Sequence, residues 1–247
     1  MKLPHSFKPR HKIKLIRIGK NNDGGYLVGN KSLITSKYLI SLGISDDWSF
    51  EIESLKINSN LKIHSYDDQL DYKFLTKAFF FSFFRIFYSK SSIKNFINKT
   101  KNLINFVFIK KKINLKKQLV TYRNIKSIVK LKKNIFFKID IEGYEYRILE
   151  DLLKIKNKIN AIVIEFHDVD LHRDKIIHFI QHINLKLTHI HPNNYSIPDK
   201  YGNPTSLEMS FEKSPSRLKG NVILPNKLDM KCDLNSKDYN LKFNNIK

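Results

Sequence analysis

Residues 136–147 read FFKIDIEGYEYR, and this stretch leaves the chain few options. Four apolar or aliphatic-stemmed residues run into Asp140, further carboxylates follow at Glu142 and Glu145, and Gly143 lies between them. The pattern predicts a buried strand that ends in an acidic turn. Ile148, Leu149, Leu152, Leu153 and Ile155 then recur at helical spacing, so a helix follows directly. Glu142 and Glu145 fall where its N-terminus is partly positive, and Lys154, Lys156 and Lys158 where its C-terminus is partly negative. In an open α/β sheet, ligands bind beyond the carboxyl ends of the strands, which is where Asp140 and Glu142 fall. Glu142 is expected chiefly to order the turn.

The rest of the chain repeats the alternation. Strands are predicted at Tyr38 to Leu42, Leu61 to Tyr66, Asn160 to Phe166, Leu185 to Ile190 and Ser206 to Phe211, with helical patterns after the first and the third. The Asp23-Gly24-Gly25 run reads as a hairpin tip. This order predicts a largely parallel, doubly wound α/β sheet finished by an antiparallel edge strand, in a single domain spanning 1–247. Residues 1–16 are basic and carry Pro4 and Pro9, so a loosely ordered arm is expected. Residues 70–116 break the alternation and read as a helical aromatic and basic insert, and 213–247 as a polar tail.

Gly43 closes the first of these strands and Ser45, Asp46, Asp47 and Glu51 follow, a setting in which backbone N–H groups can approach a cofactor. Asp46 or Asp47 serves equally well as an ordinary helix cap. Asp67 ends the next strand roughly 20 residues on, where a carboxylate can accept both hydroxyls of a ribose. The remaining strand ends carry His167 with Asp168, and His189 or His191 with Asn193. Together with Asp140 and Glu142 they offer acids, bases and hard metal ligands. Nucleophile-elbow, zinc-protease and phosphate-loop motifs are absent from the sequence.

The 247 residues contain 45 Lys and Arg against 23 Asp and Glu, a formal charge of +22. The lysines are scattered and accompany many Asn and Ile residues, as expected of a genome rich in A and T, so nucleic acid ranks low as a partner. The run from Ala78 to Tyr88 and the lysines up to Lys112 are compatible with peripheral membrane contact through 78–112, or with a buried cap or dimer contact. A single cysteine, Cys232, excludes an intrachain disulfide. With no apolar leader or spanning run, the expected location is cytoplasmic, with a peripheral position at the inner face of the membrane compatible.

FKIDIEGYEYRIL resembles the Lys-Ile-Asp-Val-Glu-Gly-x-Glu signature of the FkbM-type S-adenosylmethionine-dependent methyltransferases. The likeness continues in order through DGGYLV, SLGISDDWSFE, HSYDD, IVIEFHD, HIHPNNY and SLEMSF, covering about residues 17–68 and 134–212. The resemblance implies a Rossmann-like class I methyltransferase fold and S-adenosylmethionine as cofactor, contacted by Gly43, Ser45, Glu51, Asp67 and Asp140. It also implies methyl transfer to an oxygen of a glycan or other small molecule. This chain departs from the usual pattern at Ser41, where an acidic residue is common, and at Ser45 and Asp47, where glycines are common. Asp140, His167, Asp168 and His191 are the expected catalytic residues, with His167 or His191 as base. A divalent cation on Asp140 and Asp168 is the less favoured mechanism. The competing reading is an inactive methyltransferase-like module that binds nucleic acid or an anionic membrane through its basic surface.

Overall fold

The computed structural model describes residues 2–45, 47–68, 76, 80–84, 93, 96–97, 100, 104, 112–220 and 222–244. Two short strands open the chain, β1 (His11–Lys12) and β2 (Leu15–Gly19), and β2 pairs antiparallel with β3 (Gly25–Gly29) as the Asp-Gly-Gly turn predicts. Then come α1 (Asn30–Thr35), β4 (Tyr38–Leu42), α2 (Ser49–Ile57), β5 (Lys62–Asp67), β6 (Ile113–Lys117) and α3 (Ile125–Val129). The second half supplies β7 (Ile135–Ile139), α4 (Leu149–Lys154), β8 (Ile159–Phe166), α5 (Val169–His182), β9 (Lys186–Pro192), β10 (Leu207–Glu212) and β11 (Ser216–Arg217).

Seven strands form one sheet in the order β6-β5-β4-β7-β8-β10-β9. Ladders β6·β5, β5·β4, β4·β7 and β7·β8 are parallel, and β10 runs antiparallel to both neighbours. This is the Rossmann-like class I methyltransferase arrangement implied by the sequence. From β4 the chain builds outward to β6 and then returns to lay β7 on the other side of β4, which puts the topological switch point between β4 and β7.

Side chains alternate across β7 and divide the core. Ile135, Phe137 and Ile139 pack with Ile40, Leu42, Ile162 and Ile164, and α4 and α5 close this face with Leu149, Leu152, Ile176 and Phe179. Phe136 points the other way with Leu39, Ile63 and Val163, and the β2–β3 hairpin closes that face with Ile18, Tyr26 and Val28. By the same alternation, the hairpin-covered face carries the polar residues of the sheet: Ser41, Ser65, Lys138, Glu165, Glu208 and His191. Ser41 lies opposite Ser65 and Lys138, and Glu208 opposite Glu165 and His191.

Several expectations are corrected. The antiparallel strand is not the edge: β10 lies one place in, and β9 is outermost. All six residues of β10 are buried, and its backbone is paired on both sides, with β8 and with β9. Residues 113–117, read as part of the insert, form edge strand β6; its alternation is masked because Lys116 and Lys117 face solvent, as edge strands often require. The basic arm is also packed. Leu3 and Phe7 are buried in the core, and β1 pairs with β11 of the tail. Within the insert, 80–84 are helical with Phe80, Phe81, Phe83 and Phe84 exposed. Asp46 and the insert's basic run other than Lys112 lie outside the described residues.

At the switch point the two central strands approach closely. Gly43 has φ +73°, its N–H donates to the Tyr66 carbonyl at 3.0 Å, and a Cβ there would stand 1.6 Å from the Asp140 carbonyl oxygen. Only glycine fits. Gly43→Ala is therefore expected to lower stability by at least about 2 kcal/mol through backbone strain and the clash, read as a lower urea midpoint. An unchanged midpoint would refute the close approach.

Candidate active site

A cleft of about 490 Å³ opens at this switch point. Gly43 to Ser45 form one wall, Asp67 and Asp68 the next, and Leu119 and Val120 beyond β6 the third. Lys20 to Gly24 at the hairpin tip face them, and Lys138, Asp140 and Glu142 form the floor. Chain order alone could not show that the hairpin tip belongs here.

Asp67 fixes the glycine loop. Its Oδ2 accepts hydrogen bonds from the Ile44 N–H at 3.1 Å and the Ser45 N–H at 2.8 Å. Ser45 takes φ +51°, a left-handed conformation that glycine adopts more readily, so this loop keeps its shape through an anchor. Asp47 caps α2 by accepting from the Ser49 N–H at 3.1 Å and pairs with Lys20 of the hairpin tip at 3.1 Å.

The floor is built on Lys138, a cation inside an otherwise apolar central strand. Its Nζ donates to the Gly43 carbonyl at 2.5 Å and lies 3.3 Å from Asp140 Oδ2. The Tyr26 hydroxyl reaches down from the hairpin to donate to the same oxygen at 2.8 Å. Burial opposes ionisation of Asp140, but Lys138, Tyr26 and His167 outweigh it and hold the carboxyl below its ordinary range. Asp140 is thus an ionised group at the cleft floor.

His167 lies beside it within a ring of carboxylates. Nδ1 is 3.1 Å from Glu145 Oε1, and Nε2 is 3.5 Å from Glu142 and 3.7 Å from Glu165. Burial disfavours the imidazolium, yet the Glu145 hydrogen bond and the charges of Glu165 and Asp140 push the pKa up to about 9. Burial and the nearby Asp140 and Glu208 charges likewise push Glu165 up to about 8. The surrounding carboxylates thus favour the protonated ring, which weighs against His167 as the free base expected of it. Glu145, fully buried, is the residue that orders the turn, accepting from the Ile141 and Gly143 N–H groups at 3.1 and 3.2 Å. Glu142 instead has φ +53° and projects an exposed side chain at the cleft.

The other expected residues separate. Asp168 is exposed at the start of α5, and His167, not Asp168, joins Asp140 and Glu165 in a set whose ligand atoms lie within 4.8 Å of one another. The less favoured metal pair Asp140 and Asp168 is thus replaced by Asp140, Glu165 and His167 as the set with ligand spacing. His191 is buried away from the cleft lining, with Nδ1 3.1 Å from Glu208. Glu51 lies beneath the loop, 1% exposed, where it accepts from Ser41 at 2.5 Å. Asn193 does reach the site, donating to Glu165 at 2.8 Å and to Asp23 of the hairpin tip at 3.4 Å. Tyr26, Lys138, Glu145 and Glu165 were missed as site residues. A visible signal existed for Lys138 and Glu165, each an ionisable residue inside an apolar strand run.

A family model described as the methyltransferase FkbM domain matches residues 58–197, more than half of the chain. No curated protein sequence matches. Among solved structures, the chain is similar to a precorrin-6y C5,15-methyltransferase from Geobacter metallireducens, at 13% identity and TM-score 0.41, covering 75% of this chain and 86% of that one. It is also similar to M. capricolum TrmK in complex with S-adenosyl-homocysteine, at 16% identity and TM-score 0.40, covering 76% and 68%. With the family model spanning the glycine-loop anchor Asp67, the FKID strand and His167, the chain belongs to the FkbM methyltransferase domain family.

Proposed function

We propose that the cleft binds S-adenosylmethionine and that the protein methylates a hydroxyl of a sugar or related small molecule, with Asp140 as the proton acceptor. The observation that carries this reading is an Asp140 carboxylate held below its ordinary pKa, whose hydrogen-bond partners among the described residues, Tyr26 and Lys138, both engage Oδ2, so that Oδ1 is left for an acceptor hydroxyl.

The cleft's donor set fits the cofactor. Asp67 is a carboxylate at the end of β5 and can take ribose hydroxyls while holding the loop. Ile44, Leu119 and Val120 supply apolar wall for a purine, and Asp68 and Gln118 supply polar ends. When bound, S-adenosylmethionine supplies a methyl carbon activated by its sulfonium. The protein's part is alignment and proton removal. Tyr26 and Lys138 fix the Asp140 carboxylate in place, and protonated His167 offsets the surrounding negative charge. Because Asp140 is held at low pKa, it is a weak base, and orientation carries more of the rate than basicity does.

Calorimetric titration with S-adenosylmethionine should show binding to the wild type and a loss of roughly 10- to 100-fold in affinity for Asp67→Ala, the usual worth of hydrogen bonds to a charged group. Absence of binding to the wild type sinks the proposal and favours an inactive module. Against a panel of hydroxylated sugars, Asp140→Asn should lower kcat by roughly 100-fold or more while cofactor affinity changes little. Retained kcat would remove Asp140 as base.

His167 gives a third expectation. Its folded pKa of about 9 exceeds its ordinary 6.5, so its contribution to stability is complete below pH 6.5 and is lost as pH rises through 9. The melting-temperature gap between wild type and His167→Gln should be widest at pH 6 and narrow by about pH 10. A gap independent of pH would show that the ring acts by packing alone.

A further inference from the structure

Away from the cleft, the C-terminal segment lays Cys232 over the outer strands of the sheet's polar face. Cys232 Sγ lies 3.7 Å from Glu208 Oε1 on β10, and His191 Nδ1 on β9 lies 3.1 Å from Glu208 Oε2. The three residues are 5%, 4% and 2% exposed for Cys232, Glu208 and His191, and one ligand atom from each falls within 4.8 Å of the other two. The ring is otherwise unengaged: His191 Nε2, on the side away from Glu208, is buried with no hydrogen-bond partner among the described residues. Glu208 also lies directly across the ladder from Glu165, so two carboxylates oppose each other in the interior.

We propose that His191, Glu208 and Cys232 hold a zinc-class divalent cation that fastens the C-terminal segment to the outer strands. The donors are one nitrogen, one oxygen and one sulfur; the thiolate and imidazole select zinc over magnesium or calcium, and a water completes a tetrahedral shell. The proton balance is explicit. Cys232 gives up its thiol proton to solvent as the S–metal bond forms. The cation takes His191 at Nδ1, the nitrogen that faces Glu208, and the proton there passes to solvent while Nε2 carries the ring's remaining proton. Burial and the carboxylates of Glu208, Glu165 and Asp23 push the thiol pKa up, so the sulfur ionises only when a cation is there to hold it. Affinity therefore falls as pH falls.

The fastening reaches the cleft. Lys231, next to Cys232, accepts a hydrogen bond from Asn22 of the hairpin tip at 3.0 Å, and Asp233 exchanges hydrogen bonds with Asn194 at 2.7 and 2.8 Å. A cation here would steady the segment that steadies the hairpin tip.

The test uses the full chain, stripped with chelator and titrated with zinc or cobalt(II), with no reference to methyl transfer. One equivalent should bind, raise the melting temperature, and in the cobalt form give a thiolate-to-metal charge-transfer band. Cys232→Ser should abolish the band and weaken zinc binding by at least about tenfold, with Glu208→Gln weakening it similarly. Binding unchanged in both variants assigns the metal to surface histidines and overturns the proposal, as does a wild-type cobalt form without the band. Should Cys232→Ser fail to fold, the wild-type cobalt spectrum and Glu208→Gln still decide.

Discussion

Lys138 sits in the middle of the central strand with its side chain only 8% exposed, where an unpaired ammonium would cost several kcal/mol. Its position is tolerable because four groups converge on it: the Gly43 carbonyl, the Asp140 carboxylate, the nearby charge of Glu51 and the face of the Tyr26 ring, 5.6 Å away. Each partner belongs to a different element. Gly43 ends β4, Asp140 follows β7, Glu51 lies on α2 and Tyr26 on β3. One buried charge thus ties together the glycine loop, the acidic turn, the first crossover helix and the hairpin lid. Its partners also cooperate, because the ammonium keeps Asp140 ionised and Asp140 in turn keeps the ammonium charged.

The electrostatics of the molecule therefore differ between outside and inside. In a chain of formal charge +22 most of the described lysines are exposed, while the cleft end of the sheet collects Asp140, Glu142, Glu145 and Glu165 around one lysine and one histidine. A deficit of positive charge at the cleft floor raises the pKa of His167 and Glu165 together. It also suits the proposed cofactor, whose sulfonium is cationic, and it argues against an anionic group being held at the floor.

The fold was legible because parallel strands buried on both faces read as apolar runs, and four of them, β4, β5, β7 and β8, stood out at nearly their true bounds. What escaped notice was structure held by few or distant contacts. Edge strand β6 has a solvent-facing side and two lysines, so no apolar run marks it. The N-terminal arm is basic by composition, yet Leu3 and Phe7 are buried in the core and backbone pairing with the C-terminal segment holds it as well. In the site, Asp67 and Asp140 were visible as strand-end carboxylates. Glu145 and Glu142 exchanged roles because the turn's hydrogen bonds depend on which carboxylate folds inward, a choice that residue spacing does not encode. Lys138 passed as an aliphatic stem, although a charge in a strand whose five residues are all buried is itself a signal of a compensated site.

The departures of the glycine loop from the family pattern can be weighed on the same physical footing. A loop rich in glycine reaches left-handed conformations at little cost but must be ordered when ligand arrives. Here Ser45 holds such a conformation with a side chain present, and the strain is offset by two amide hydrogen bonds to the Asp67 carboxylate. Gly43 is retained at the one place where a Cβ would strike backbone. The loop has thus kept the glycine that sterics require and replaced permissive flexibility elsewhere with a charged anchor. An anchored loop loses less entropy on binding than a loose one, so the missing glycines do not by themselves count against the proposed cofactor site. The cost falls on Asp67, which holds the loop through Oδ2; in the proposed function it would also receive a ribose, and that double duty would couple loop order to cofactor affinity.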